Sequence, residues 1–414
     1  MIFAKECKRT VRSVVYLIYC IVLAMFFWTQ YFSCMGQPLY EPQPDWVEFG
    51  TKIGNDPVTI MNGAVSELYG EYTANRYNCY PYGFIKTVHL KQKDQERVKE
   101  YLMEILGVDE EGMEELFQNS KARFLDDGFT TYTALTAELK ATDGFSYQRF
   151  QEICAQVDQL LGGGSNYEPE MLAPKYCRVP MTYEDAMAEY REFTQEDRVT
   201  QALARLFCDY MGIFVSLLPV FVAAAFTDSD RRNRISDLIY VRKAGSVRIV
   251  FARYAALTTM TFLPVLVMMG MSFVQALVNY GGIAMDYGAF FTLPVIWLLP
   301  GIMIATAVGM FLTELVSPGA AILVQLLWWF GLFMQGGRLV GGIKMFSLVV
   351  RHNAIGERAA FMECFHTFLM NRIFFAAVAL GLVLLTAMLF EIKRGGKWNG
   401  IRLSGKSDRF GRKA

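Results

Sequence analysis

The sequence predicts a multi-pass α-helical membrane protein with six transmembrane helices and a large mixed α/β extracytoplasmic domain between the first and second. Three observations carry this. First, long runs lack charge: Phe290 to Met310 and Ile373 to Phe390 contain no ionisable side chain, and Val14 to Phe32 is broken only by small or neutral polar residues. Each approaches the roughly 20 residues that a helix rising about 1.5 Å per residue needs to cross about 30 Å of hydrocarbon. The helices of a large soluble core would show charges every few residues on their wet faces. Overall, 53% of the residues are hydrophobic and only 19% charged. Second, basic residues gather in three stretches that an even number of crossings places on one side. Third, residues 33–204 form one long polar insert with roughly twice as many acidic as basic residues.

Taken in order, residues 1–32 comprise a cytoplasmic N-terminus and the first transmembrane helix. Lys5, Lys8, Arg9 and Arg12 precede an apolar run longer than a signal-peptide core, and Ser33-Cys34-Met35-Gly36 is a poor cleavage context, so the helix is expected to be retained. A lipoprotein reading of Cys34 is weaker still. Residues 33–204 are the extracytoplasmic domain, and 205–390 hold the remaining helices, near Leu206–Phe226, Tyr254–Leu277, Ala289–Phe311, Ala320–Met334 and Ile373–Phe390. The fifth of the six is short as an apolar run and is expected to extend into its flanks. Pro219, Pro264, Pro294 and Pro300 fall within these spans, and membranes tolerate such kinks where neighbours re-satisfy the freed carbonyls. The N-terminus, the 228–253 loop with its seven basic residues and the basic 391–414 tail go to the cytoplasm by the positive-inside rule. The loop before the last span then lies outside despite Arg338, Lys344, Arg351, Arg358 and Arg372; its glycine pairs and apolar Met345–Val350 suggest short interfacial or re-entrant pieces.

The insert opens on Pro38, Pro42 and Pro44, which favour extended chain. A strand-like run, Gly83 to Leu90, leads to a helix with Val98, Tyr101, Leu102, Ile105 and Leu106 on one face. A second helix is expected over Tyr147–Leu161, stopped by Gly162-Gly163-Gly164, and a third begins near Tyr183 and continues toward the second span. Cys34, Cys79, Cys154 and Cys177 permit three complete disulfide pairings, and the spacing selects none of them over unpaired buried thiols.

Reactive-site signatures are weak. Gly400 to Ser407 spells a phosphate-loop pattern, but no strand precedes it and the sequence ends seven residues later, so a basic tail beside anionic lipid is the better reading. His89, His352 and His366 form no metal motif. No Gly-x-Ser-x-Gly elbow accompanies a soluble α/β pattern. Asp209 and Glu314 are the notable ionisable groups at the membrane boundary, and their scarcity argues against ion-coupled transport by this chain alone.

The most informative stretch is Asp228 to Tyr254. Ile235, Leu238 and Ile239 share one face of a short helix, Arg234 and Asp237 are spaced to meet, and Gly245 permits a turn. Such a helix either transmits force from a docked partner or only anchors the loop in lipid. The pattern of Asp230-Arg231, Arg234, Asp237-Leu238-Ile239, Gly245 and Arg248 resembles the coupling segment of the permease subunit of the ABC-2 family of ATP-binding-cassette transporters. Arg351-His352-Asn353, then Asn371-Arg372, resembles a recurring feature before that family's last span. Ala244 stands where the family often has proline, and the initial acid is Asp230 rather than the commoner glutamate. The resemblance implies a permease subunit of an ATP-driven exporter that is not itself an enzyme. ATP and Mg would sit on partner ABC ATPase subunits, beside a second permease copy or paralogue, membrane lipids, no nucleic acid and a transported substrate of open identity. It casts the first group of residues as the ATPase-coupling segment and Arg351, His352, Asn353, Asn371 and Arg372 as outer-loop or gate residues. The rival reading is a membrane-anchored sensor or assembly factor, binding a ligand or protein through the extracytoplasmic domain.

Overall fold

A computed structural model describes residues 2–33, 39–80, 86–116, 139–233, 239–240, 244–334, 343–352 and 354–396. The chain divides into two compact units, Met1–Tyr40 with Glu189–Ala414, and Glu41–Ala188.

The first unit is helical. Its elements are α1 (Ile2–Val11) and α2 (Val14–Phe26, prolonged by a π-turn, Phe27–Phe32). After the insert come α8 (Thr200–Val215), α9 (Pro219–Arg232), α10 (Ser246–Tyr280) and α11 (Tyr287–Leu315). The unit closes with α12 (Pro318–Met334), α13 (Arg358–Glu363) and α14 (Phe365–Arg394). Among the described residues, five stretches are long and apolar enough to cross a membrane: Val14–Phe32, Thr200–Asp230, α10, α11 and α14. The sixth expected crossing coincides with α12, whose described apolar part, Pro318–Gly331, is shorter than those five; the flank into which it is expected to extend lies outside the described residues.

At three of the prolines in these helices a neighbouring side chain donates to a nearby carbonyl. A proline deprives the carbonyl four residues back of its partner and pushes the adjacent one aside. At Pro264 in α10, Tyr16 Oη donates to Met260 O (2.9 Å) and Tyr19 Oη to Thr261 O (2.6 Å). Between α8 and α9 the helix breaks just before Pro219, where Gln325 Nε2 donates to Ser216 O and Trp329 Nε1 to Ile213 O, both at 2.7 Å. Near Pro300 in α11, Arg372 Nη1 donates to Trp297 O at 3.1 Å. In hydrocarbon no water could replace these donors. Small residues let the backbones approach: a Cβ on Gly309 of α11 would lie 2.8 Å from Ala223 Cβ of α9.

The Glu41–Ala188 unit is mixed α/β. It contains α3 (Pro57–Ala74), α4 (Gln92–Leu106), α5 (Tyr147–Leu161) and α6 (Pro169–Tyr176). These pack on a core that includes Val65, Val98, Leu102, Ile153, Val157 and Leu172. Two antiparallel ribbons complete it: β1 (Thr51–Ile53) pairs with β4 (Arg178–Pro180), and β2 (Tyr77–Cys79) with β3 (Lys86–Val88). The α5 bounds are those read from the sequence, and Gly162, Gly163 and Gly164 all take positive φ after it. The strand-like run narrows to β3; residues 81–85 lie outside the described residues. The helix begun at Tyr183 (α7, Tyr183–Arg191, then a π-turn Glu192–Glu196) does not continue into α8. It is interrupted at Arg198 and Val199, both with left-handed φ. Cys154 and Cys177 are buried free thiols, and Cys34 lies outside the described residues.

Glu71 is buried in this unit, 7% exposed, and accepts from Tyr167 Oη (2.7 Å) and the Asn78 N–H (2.8 Å). Burial pushes its carboxyl up to about 7, outweighing the two hydrogen bonds that oppose the shift.

Candidate functional site

The sequence-derived site residues fall into two groups at opposite ends of the helical unit. At one end α1, α9 and α10 meet in a charge network. Asp230, near the end of α9 and 6% exposed, receives Arg9 Nη2 at 2.9 Å and Arg253 Nη2 at 2.5 Å. Arg253 also reaches Glu6 at 3.3 Å, and Arg9 donates to Ser229 Oγ. Asp230 and Arg253 flank the 228–253 segment, so their ion pair ties its two ends together. The tail of α14 joins the same end: Lys393 Nζ binds Glu314 Oε2 at 2.6 Å and Glu314 O at 2.5 Å, Glu391 accepts from Ser246 Oγ, and Arg394 donates to Ala244 O at 3.0 Å. Cations on the last carbonyls of α11 also suit the negative end of its dipole.

Of the proposed coupling residues, Gly245 is the N-cap of α10, Arg248 is exposed on its first turn and Ile239 is buried in the helical core. Arg231 belongs to α9. Arg234, Asp237 and Leu238, and with them the spacing that would bring Arg234 to Asp237, lie outside the described residues, as does the Gly400–Ser407 pattern.

At the other end the gate candidates assemble into a clamp. The 344–350 segment is not helical, yet Leu348, Val349 and Val350 are buried. Backbone of this kind needs internal partners. Asn371 Nδ2 donates to Lys344 O (3.1 Å), Met345 O (2.8 Å) and Ser347 O (2.9 Å). Arg372 Nη2 reaches Ser347 O at 3.3 Å and Leu348 O at 3.4 Å, while its Nε donates to Asn371 Oδ1 at 2.8 Å. From α8, Asp209, 1% exposed, accepts from Arg351 Nε (3.1 Å) and from the His352 N–H (2.7 Å). His352 is fully buried with Nε2 3.0 Å from Gly356 O. Asn353 lies outside the described residues. Asp209, assigned from the sequence to the membrane boundary, thus anchors the chain at Arg351 and His352.

A second ionic cluster at this end has no counterpart among the residues that the sequence patterns single out. Arg205, 2% exposed, makes a two-pronged pair with Asp197 (2.8 and 2.5 Å), donates to Ile355 O at 3.2 Å and lies 5.5 Å from the Phe361 ring centroid. Arg358 approaches Asp197 at 3.4 Å and Glu196 at 3.6 Å. Only the reversal at Arg198 and Val199 brings Asp197 back against α8. A β-branched residue with positive φ is a rare conformation, and no spacing rule anticipates it. The available signal is Arg205 itself, an arginine between Ala204 and Leu206 at the mouth of an apolar helix.

Among the described residues no group of three or more His, Cys, Asp or Glu side chains could hold a metal ion. The architecture defines a multi-pass helical membrane protein with an α/β unit inserted after its first long helix. A family model described as ABC-2 family transporter protein matches residues 14–352, from the start of α2 to His352, and the chain belongs to that family. No curated protein and no solved structure matches it.

Proposed function

We propose that this chain is the permease subunit of an ATP-driven exporter in the cytoplasmic membrane, using ATP and Mg held by separate ATPase subunits and working beside a second permease copy or paralogue. Family membership supports the class. The observation that carries the mechanism is the Asp230–Arg253 pair, which joins α9 to α10 across the candidate coupling segment. A push on that segment moves both helices together. Through α9 and α8 it reaches Asp209, whose bonds to Arg351 and the His352 amide hold the gate segment. Docked ATPases that contact the segment differently before and after closing would bias the clamp between two arrangements.

The proposed topology has six crossings, α12 included, with both termini cytoplasmic and the Glu41–Ala188 unit outside. Contacts within the helical unit support it. Residues of α1, 228–253, Glu314 and 391–394 interact with one another, while 197–205 interacts with 355–358. Three of the five basic residues at odds with an outside loop are engaged within the fold: Arg351 by Asp209, Arg358 by Asp197, and Arg372 by backbone carbonyls. These three are not the free charges that the positive-inside rule counts.

The test is coupling. Replacing Arg234 and Asp237 with alanine should leave membrane insertion intact and reduce cargo-stimulated ATP hydrolysis in vesicles containing the co-purified ATPase. Full stimulation in the double variant would refute the coupling role, and failure to recover any ATPase partner would favour a sensor or assembly factor.

A further inference from the structure

A cavity of about 570 Å³ opens in the helical unit beside the clamp, within the size range of small-molecule sites. Its lining changes character with depth. Tyr31, Phe193, Leu203 and Ala276 are buried and give it an apolar, aromatic floor, with Phe193 set edge-on to Tyr280 (ring centroids 5.6 Å apart). Ser272, Gln275 and Asn279 form a polar stripe along one face of α10, a helix otherwise apolar over this stretch. The charged lining is Glu189, Glu192 and Glu357, with Glu189 and Glu357 exposed, and among the described residues no Lys, Arg or His contributes. The nearby arginines are committed elsewhere, Arg205 to Asp197 and Arg358 to Asp197 and Glu196. Glu192 Oε1 accepts the Arg358 N–H at 2.7 Å, and Glu357 stands in the left-handed region at φ 57°.

From this lining we infer that the cavity binds organic cations with an apolar body, such as protonated amines carrying an aromatic or aliphatic group. The floor removes apolar surface from water, and the carboxylates offset the desolvation of the ammonium. The rings of Tyr31, Phe193 and Tyr280 offer faces for cation–π contact. An anion would be repelled by the carboxylates. The lining residues 354–357 come soon after Arg351 and His352 in the sequence, so an occupant bears on the segment that Asp209 holds. As a binding site the cavity stands independently; as a cargo site it rests on the transport reading.

The experiment uses the full chain, purified in neutral detergent without any ATPase. The probes are dansylcadaverine, which carries a primary ammonium, and its N-acetylated analogue, which has the same fluorophore and partitions into detergent without the charge. At low salt the ammonium probe should bind at least about tenfold more tightly by fluorescence anisotropy, as expected for one desolvated charge interaction. The Glu189→Gln, Glu192→Gln, Glu357→Gln triple variant should lose that preference while keeping the wild-type elution profile. Ala276→Phe, which fills the floor, should abolish binding of both probes. Equal binding of the two probes, or an unchanged preference in the triple variant, overturns the inference. Equal binding of the two probes by the wild type with ATPase coupling intact removes this inference alone; selective binding without a recoverable ATPase partner removes only the transport reading.

Discussion

Glu71 makes the Glu41–Ala188 unit a test of how burial sets stability. Its carboxyl is raised from the ordinary 4.5 to about 7 by desolvation. A raised carboxyl in the folded state means that the protonated form is favoured by folding. The contribution is complete below about pH 4.5 and is lost as pH rises through about 7. Each tenfold change in proton affinity is worth about 1.4 kcal/mol, so the loss is on the order of 3 kcal/mol. Other carboxylates of this unit act elsewhere on the pH scale. Asp56 is lowered by Thr59, Glu104 by Arg149 and Asp185 by Lys52, and their contributions fade only on acidification below the ordinary carboxylate range. Between pH 5 and 8 Glu71 therefore dominates. Glu71→Gln removes the charge and disturbs one of two hydrogen bonds, a cost of about 1 kcal/mol. The variant should be less stable than wild type by about that amount at about pH 3.5, nearly equal to it at about pH 5, and more stable by about 2 kcal/mol at about pH 8. Urea denaturation of the 41–188 unit, followed by circular dichroism at matched ionic strength, measures both. The reasoning is refuted if the difference between variant and wild type keeps one sign between about pH 3.5 and about pH 8.

Two further predictions concern the helical unit. Arg351→Ala should leave the Asp209 carboxylate buried without its cation and destabilise the protein by about 3 kcal/mol or more, read as a lowered thermal midpoint in detergent; Asp209→Asn combined with Arg351→Gln should recover most of the loss. Tyr16→Phe should cost about 0.5 to 1 kcal/mol, because Met260 O loses its donor. In a Pro264→Ala background, where the helix restores its own bond, the same change should cost almost nothing, and an equal cost in both backgrounds would contradict the donor role.

The spans are legible wherever hydropathy alone decides. Val14–Phe32 has the bounds read from the run of apolar residues. Elsewhere the helices overrun the apolar stretch: α10 starts at Ser246 rather than near Tyr254, because its first turns carry Arg248 and Arg253 on a polar face that a hydropathy window discounts. The apolar run Ala320–Met334 marks the helix Pro318–Met334, which begins only slightly before it. Arg351, His352, Asn371 and Arg372 can be singled out by pattern, whereas their partners cannot. Asp209 lies 142 residues from Arg351, and Asp197 meets Arg205 only through two left-handed residues. Long-range pairing and unusual backbone are properties of the packed chain, invisible to periodicity.

The kinked helices carry a mechanical implication. A proline bend with a spare carbonyl is ordinarily a free hinge, able to flex without consulting its surroundings. Here the bend in α10 is fastened to α2 by two tyrosines and the break before α9 to α12 by Gln325 and Trp329. Straightening either one strands a carbonyl in oil unless the fastening helix travels with it. Flexing is thereby geared, so a stroke delivered to one rod is shared by its neighbours rather than dissipated where it lands.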